Sequence, residues 1–341
     1  VDLTVSATGS PPLSYQWLFD GSPLSGASSS ELQLAQVQLW QAGIYTVVVT
    51  NDFGAVTSAP ALLGVVPAPT FRVLHEFNGS DGAEPSLASP VLAGTTLYGT
   101  AYYGGYYPTI WTGGEGTLFR LNTDGTDFRV LEGFVDWQST GCGPSGNLVL
   151  CDNTLYGTAA WGGISNRGTV FKLATDGSGY TVLKSFAGSD GSTPFGGLAM
   201  SESVLYGTTY YGGSSNLGTV FRINTDGSGF RMLRSFTGAD GCNPEAPLVV
   251  SGGTLYGTTG GYGGPLQTGG GTVFKLKVDG TSFTVLKAFT GSDGATPMAG
   301  LLLAGTTLYG TTAYGGGSIY GTVFRINTDG SGFAVLKSFN G

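Results

Sequence analysis

One four-residue phrase, Leu-Tyr-Gly-Thr, occurs five times in the chain, at 97–100, 155–158, 205–208, 255–258 and 308–311. Its tyrosines (Tyr98, Tyr156, Tyr206, Tyr256 and Tyr309) follow one another at intervals of 58, 50, 50 and 53 residues. A period of that length marks a supersecondary unit that buries its apolar face only by stacking on its neighbours. The order of segments around the phrase is constant. A short apolar run follows a proline, then Thr-Leu-Tyr-Gly-Thr, an aromatic before Gly-Gly, a loop of variable length, and Gly-Thr-Val-Phe-Arg-Ile. Next come Asn-Thr-Asp-Gly, a second apolar run such as Phe333–Phe339, and Gly-Ser-Asp-Gly leading to the next proline.

Each unit reads as four strands of four to eight residues. Asp-Gly at Asp124, Asp176, Asp226, Asp279 and Asp329 falls between the third and fourth, where a tight hairpin needs positive φ. Four short strands in about 40 to 50 residues predict a β-propeller blade. With 61 glycines among 341 residues, a helical bundle is excluded, since each interior glycine costs about 1 kcal/mol against alanine. Glycine is not at every third position, which excludes collagen. No run reaches about 18 apolar residues, so a membrane-spanning helix is excluded as well.

Residues 1–66 follow another pattern: Val5-Ser-Ala-Thr-Gly9, Tyr15-Gln16-Trp17, Leu32-Gln-Leu34 and Ala42-Gly-Ile-Tyr45-Thr-Val-Val-Val-Thr-Asn51. This segment resembles an immunoglobulin-like sandwich. The resemblance makes Trp17 the core tryptophan and Tyr45 a tyrosine corner. It places Val5 and Val47 where the inter-sheet cysteines usually lie, and it leaves strand A missing. The expected organisation is an immunoglobulin-like domain at 1–66, a linker at 67–70 and propeller repeats at 71–341. The fourth-strand pattern appears six times, beginning with Phe71–Phe77, and the set of the first three strands five times. Both ends carry a fourth strand, which suggests a piece of a longer protein.

The repeat, with its Leu-Tyr-Gly-Thr-Thr, Gly-Thr-Val-Phe-Arg-Ile-Asn-Thr-Asp-Gly-Ser-Gly-Phe and Ser-Phe runs, resembles the GloVer tandem repeat over residues 70–341. Large bacterial surface or secreted proteins of the choice-of-anchor kind carry that repeat. The resemblance implies an exported, extracellular or cell-surface protein whose signal and anchor lie elsewhere in the full chain. It implies no particular activity.

Charge narrows the function classes. Fourteen Lys and Arg against 22 Asp and Glu give −8, and residues 1–66 hold no base, so no basic stripe for nucleic acid exists. Three cysteines (Cys142, Cys151, Cys242) match no zinc spacing. A Cys142–Cys151 bridge is conceivable, with buried free thiols as the default. His75 lies in a strand pattern with no nucleophile nearby and reads as structural. Asn122, Asp124 and Asp127 bring oxygens close together, but the other repeats lack the last one, and no metal or cofactor is expected. Nine of the 22 acids are repeated turn aspartates, which normally bond their own backbone.

The candidate ligand-binding residues are aromatic. Tyr103, Trp161, Tyr211, Tyr262 and Tyr314 each stand just before Gly-Gly, on the predicted face where the loops between strands two and three open. The first repeat adds insertions on that same face, with Tyr106, Tyr107 and Trp111 in one and Trp137 in the next, and with Glu115 and Asp136 beside them. Flat rings next to glycine-rich loops stack on sugars, although a strand-end aromatic also serves blade packing. The reading is a non-enzymatic, monomeric extracellular module presenting aromatics to a glycan or surface protein. The alternatives are a polysaccharide-active glycosidase or lyase on the same face, and repeats that act only as a spacer.

Overall fold

In every repeat the glycine of Leu-Tyr-Gly-Thr pairs directly with a phenylalanine on the following strand. The pairs are Gly99–Phe119, Gly157–Phe171, Gly207–Phe221, Gly257–Phe274 and Gly310–Phe324. A Cβ at any of these glycines would stand 2.5–2.6 Å from the tip of the ring. The missing side chain therefore makes room for the phenylalanine to lie flat over the strand, and the phrase recurs because this packing recurs.

The computed structural model describes residues 1–65, 71–85, 88–105, 115–136, 138–261 and 270–341. The chain divides into two compact units, Val1–Arg72 and Val73–Gly341. The expected linker at 67–70 lies outside the described residues.

The first unit pairs Asp2–Thr4 with Glu31–Gln33 in one sheet. Its second sheet contains Ser22–Pro23, Ser14–Phe19, Gly43–Asn51 and Gly54–Thr57, with Ala61–Leu63 also on the Gly43–Asn51 strand. The alternation along Gly43–Asn51 puts Tyr45, Val47 and Val49 inside. Trp17 and Val47 are buried and pack with Val5. The Tyr45 hydroxyl donates to the Gln41 carbonyl at 2.9 Å, which is the bond a tyrosine corner makes.

The second unit is five antiparallel blades in chain order, four-stranded except for the second, where Cys142–Pro144 adds a fifth strand beside Thr154–Trp161. The strands of blade one are Val91–Ala93, Thr96–Ala101, Thr117–Asn122 and Arg129–Gly133, each paired with the next. Blades two to five repeat this at Val149–Ser185, Ala199–Ser235, Val249–Ala288 and Leu302–Ser338. Between the third and fourth strands, each turn aspartate (Asp176, Asp226, Asp279 and Asp329 among them) accepts the backbone N–H and the hydroxyl of the residue two further on.

Two expectations are corrected. The first strand of each blade has three residues, not four or more, because the chain before it leaves the sheet to line a cavity. Phe71–Phe77 forms no strand, because no third strand lies beside it to accept its backbone hydrogen bonds.

Successive blades are joined by one repeated contact. The last phenylalanine of a blade meets the third-strand phenylalanine of the next, as in Phe134–Phe171, Phe186–Phe221, Phe236–Phe274 and Phe289–Phe324, with centroids 5.1–5.4 Å apart and ring planes at 63–65°. Beside it, a cation covers the fourth-strand aromatic and pairs with the aspartate six residues on. Lys184 lies over Phe230 and bonds Asp190, while Arg234 lies over Phe283 and bonds Asp240. Lys287 does the same with Phe333 and Asp293. His75 stacks on Phe128 at 3.5 Å and bonds Asp81 at 2.9 Å, so it occupies the cation's structural place. At the junction of blades one and two the set changes together. Glu132 replaces the cation, Thr140 the aspartate and Tyr180 the phenylalanine, and the Tyr180 hydroxyl donates to the Thr140 carbonyl at 2.5 Å.

Candidate functional site

The loop between the second and third strands of each blade is bridged to the loop that enters that blade. The bridged pairs are Ala83–Tyr103, Cys142–Trp161, Ser192–Tyr211, Cys242–Gly261 and Ala295–Tyr314. Antiparallel pairing of this kind puts both loops at the same end of the blade, where the sequence places its candidate aromatics. Tyr103, Trp161, Tyr211 and Tyr314 are 43 %, 41 %, 40 % and 63 % exposed, so each offers ring surface to solvent. In blade four the bridged position is Gly261. The glycine inserted before Tyr262 shifts the register, and the aromatic is lost from that place. Tyr106, Tyr107, Trp111, Trp137 and Tyr262 lie outside the described residues.

Three of these rings belong to a continuous arc that the sequence only half disclosed. Tyr103 meets Tyr102 edge-on at 4.6 Å, and the Trp161 indole N–H donates to the Tyr102 hydroxyl at 2.9 Å. Trp161 then contacts Phe195 at 6.4 Å, Phe195 contacts Tyr210 at 5.7 Å, and Tyr210 contacts Tyr211 at 4.5 Å. The arc therefore crosses blades one, two and three. Gly143 lets it close up, since a Cβ there would stand 3.0 Å from the Tyr102 ring.

Phe195 also lines a cavity of about 490 Å³ to which all five repeats contribute, through Ala88 and Ser89, Ser145–Asn147, Phe195 and Gly197, Glu245 and Pro247, and Met298–Leu301. The Asn147 side-chain oxygen accepts the Ser89 backbone N–H at 2.8 Å. The hydroxyls of Thr158, Thr208 and Thr258 donate to carbonyls of the next blade at Gly196, Ala246 and Ala299. The cavity wall is thus a run of backbone held from each blade to the next, from blade one to blade five. Into it blades two to five each insert the residue after the entering proline, which varies among them: Ser145, Phe195, Glu245 and Met298. Sequence reasoning missed this position. The signal was a constant proline followed by a residue that varies among the copies, Ser in the first two and then Phe, Glu and Met.

Glu245 is the one titratable group among the lining residues, and burial pushes its carboxyl above the usual carboxylate range. Burial, then the Glu245 charge, raises the phenol of Tyr210. Glycoside hydrolysis uses two carboxyl groups about 5–9.5 Å apart, and the described cavity wall supplies one. What this end of the molecule offers is stacking surface beside a hydrogen-bonding wall.

Other candidates are used structurally. Asp127 pairs with both Arg120 and Arg129, and no group of three metal-ligating side chains occurs among the described residues. The three cysteines are free thiols, so the conceivable Cys142–Cys151 bridge is not formed. Burial raises the Cys142 thiol to about 12, with a further push from Glu115, and raises Cys242 to about 11.

The family model described as Gloeobacter/Verrucomicrobia repeat matches residues 45–220 and again 196–341, and the immunoglobulin I-set domain model matches residues 1–63. A comparison with curated proteins finds no match. Among solved structures, the chain is similar to the GH74 enzyme of Niastella koreensis, with a TM-score of 0.50, 18 % identity and 75 % of this chain covered. The matched part spans 38 % of that enzyme's length. A putative 6-phosphogluconolactonase from Bacteroides uniformis matches with a TM-score of 0.44 and 15 % identity, over 95 % of this chain and 81 % of the other. At these identities the likeness to the GH74 enzyme is one of fold. The chain belongs to the Gloeobacter/Verrucomicrobia repeat family and begins with an immunoglobulin-like domain.

Proposed function

We propose that this member of the repeat family is a non-enzymatic binding module that holds a glycan against the aromatic arc running from Tyr103 to Tyr211. The observation that carries the reading is the continuity of the arc across three blades. Rings that served only blade packing would be enclosed, whereas Tyr103, Trp161 and Tyr211 each keep about two fifths of their surface in water. Rings held by their neighbours lose little side-chain entropy on contact, which favours them as stacking platforms. Phe195 leads from the arc to the cavity, where Asn147, Ser145 and Glu245 supply polar groups for hydroxyls. On this reading Tyr314 stands apart from the platform.

The proposed setting is the outside of a bacterial cell, as the surface and secreted proteins that carry this repeat imply. Among the described residues no helix is long and apolar enough to cross a membrane. The test is an array of bacterial and plant polysaccharides probed with the full chain and with Trp161→Ala and Phe195→Ala. Binding that both substitutions abolish supports the module. An array without hits, or hits indifferent to both substitutions, overturns it. Release of oligosaccharide from any bound polymer would move the assignment to the enzymatic alternative.

A further inference from the structure

Blade five carries a junction face like those of blades one to four, and that face is uncovered. Phe339 is 44 % exposed, whereas its counterparts Phe134, Phe186, Phe236 and Phe289 are at most 1 % exposed. Thr311 is exposed, whereas Thr158, Thr208 and Thr258 reach the next blade and are buried. Blade one has the opposite vacancy. A cavity of about 230 Å³ there is lined by Leu74, Phe77, Pro90, Leu97, Phe119 and Leu121. At the next junction the corresponding positions are Leu131, Phe134, Leu148, Leu155, Phe171 and Leu173, and there the core is completed by Tyr98 and Leu118. Those two residues come from the second and third strands of the preceding blade. The wall at blade one therefore lacks a second strand and a third strand, but no fourth. Phe77 already meets Phe119 at 5.1 Å and 64°, the geometry of the other four junctions, and His75 already covers Phe128.

Blade five cannot fill this vacancy directly. Its own Lys337 and Phe339 would have to occupy the places that His75 and Phe77 hold. We infer that the two faces together form a docking site for one partner, a segment of this repeat's first three strands continuing from Gly341, which takes Val73–Phe77 as its fourth strand and completes a sixth blade. The Val73–Phe77 backbone is extended in sequence pattern yet unpaired in the sheet, as a strand awaiting its neighbour must be. Ala88 and Ser89 of the entry to blade one and Met298–Leu301 of blade five line one common cavity.

The experiment appends a copy of residues 292–328 to Gly341 of the full chain, which continues the repeat in register, and follows amide hydrogen exchange. Protection of the Val73–Phe77 amides is expected to rise at least about tenfold, with Phe339 protected alongside. The same extension carrying Ser in place of the copies of Tyr309 and Val323 is expected to give no protection. A longer extension copying 292–341 brings its own fourth strand and should leave Val73–Phe77 exchanging fast. Unchanged exchange with the 292–328 copy, or equal protection from the two lengths, overturns the proposal. Glycan binding by the arc is independent of either result.

Discussion

The indole N–H of Trp161 donates to the phenol oxygen of Tyr102 at 2.9 Å, joining a ring of blade one to a ring of blade two. This bond fixes the tilt of the Trp161 face that the proposed ligand uses. Tyr102→Phe keeps the ring and removes the acceptor, and is expected to cost about 1 kcal/mol of stability while weakening glycan binding. Trp161→Ala removes a half-exposed ring at the centre of the arc. It is expected to lower affinity at least about tenfold with a smaller loss of stability than a core truncation gives. Urea unfolding and glycan titration of both variants separate the two effects.

The junction phenylalanines give an internal control. Phe186 is 1 % exposed between blades two and three, while Phe339 is 44 % exposed on the uncovered face of blade five. Phe186→Ala is expected to cost about 3–5 kcal/mol, as enclosed phenylalanines do. Phe339→Ala has less burial to lose and should cost under about 1.5 kcal/mol. Similar losses at the two positions would mean that the blade-five face is covered in solution.

Much of the architecture was legible because it is written five times. The Gly99–Phe119 pairing and the turn aspartates follow from residues at fixed offsets, and the resemblance to an immunoglobulin-like sandwich marked Trp17, Val47 and Tyr45 as its core residues. Position was harder to read than identity. Phe71–Phe77 has the composition of a strand, but a strand needs a neighbour, and sequence does not say which neighbours are present. Tyr262 looked equivalent to Tyr211 until the bridge of Cys242 to Gly261 showed a one-residue offset. Phe195 and Glu245 escaped notice because a repeat search rewards what recurs, and the cavity is lined by the position that does not.

The cysteines make a direct prediction about redox state. Burial holds the thiols of Cys142 and Cys242 near 12 and 11, so neither has an appreciable thiolate fraction at pH 8. Both are expected to resist a thiol-specific reagent in the folded protein and to react once it is unfolded. The unfolded protein should then titrate for three thiols without prior reduction. A count of one would reveal a disulfide and overturn the free-thiol assignment.

The last prediction concerns acid, where two junctions should respond with opposite sign. Burial alone would raise the carboxyls of Asp240 and Asp293. For Asp240 the Thr237 amide and Arg234 outweigh it, and for Asp293 Lys287 and the Thr290 amide do, so both end below the ordinary carboxylate value. A carboxyl whose folded pKa is depressed stabilises fully above its unfolded value, about 3.9. That contribution is lost as pH falls through the folded value. Asp240→Asn should therefore lower Tm at pH 7 and make the decline below about pH 4 less steep. Glu132, at the junction of blades one and two, is raised by burial alone. Its folded pKa lies above the unfolded one, so its charge opposes folding once pH exceeds the folded value. Glu132→Gln should raise Tm at pH 7, with the gain vanishing as pH falls below about 4. Thermal melts of the parent and both variants from pH 3 to pH 8 test the pair. A lower Tm for Glu132→Gln at pH 7 would mean that the Glu132 charge is stabilised in the folded protein, and a higher Tm for Asp240→Asn would mean that the Arg234 pair does not stabilise it.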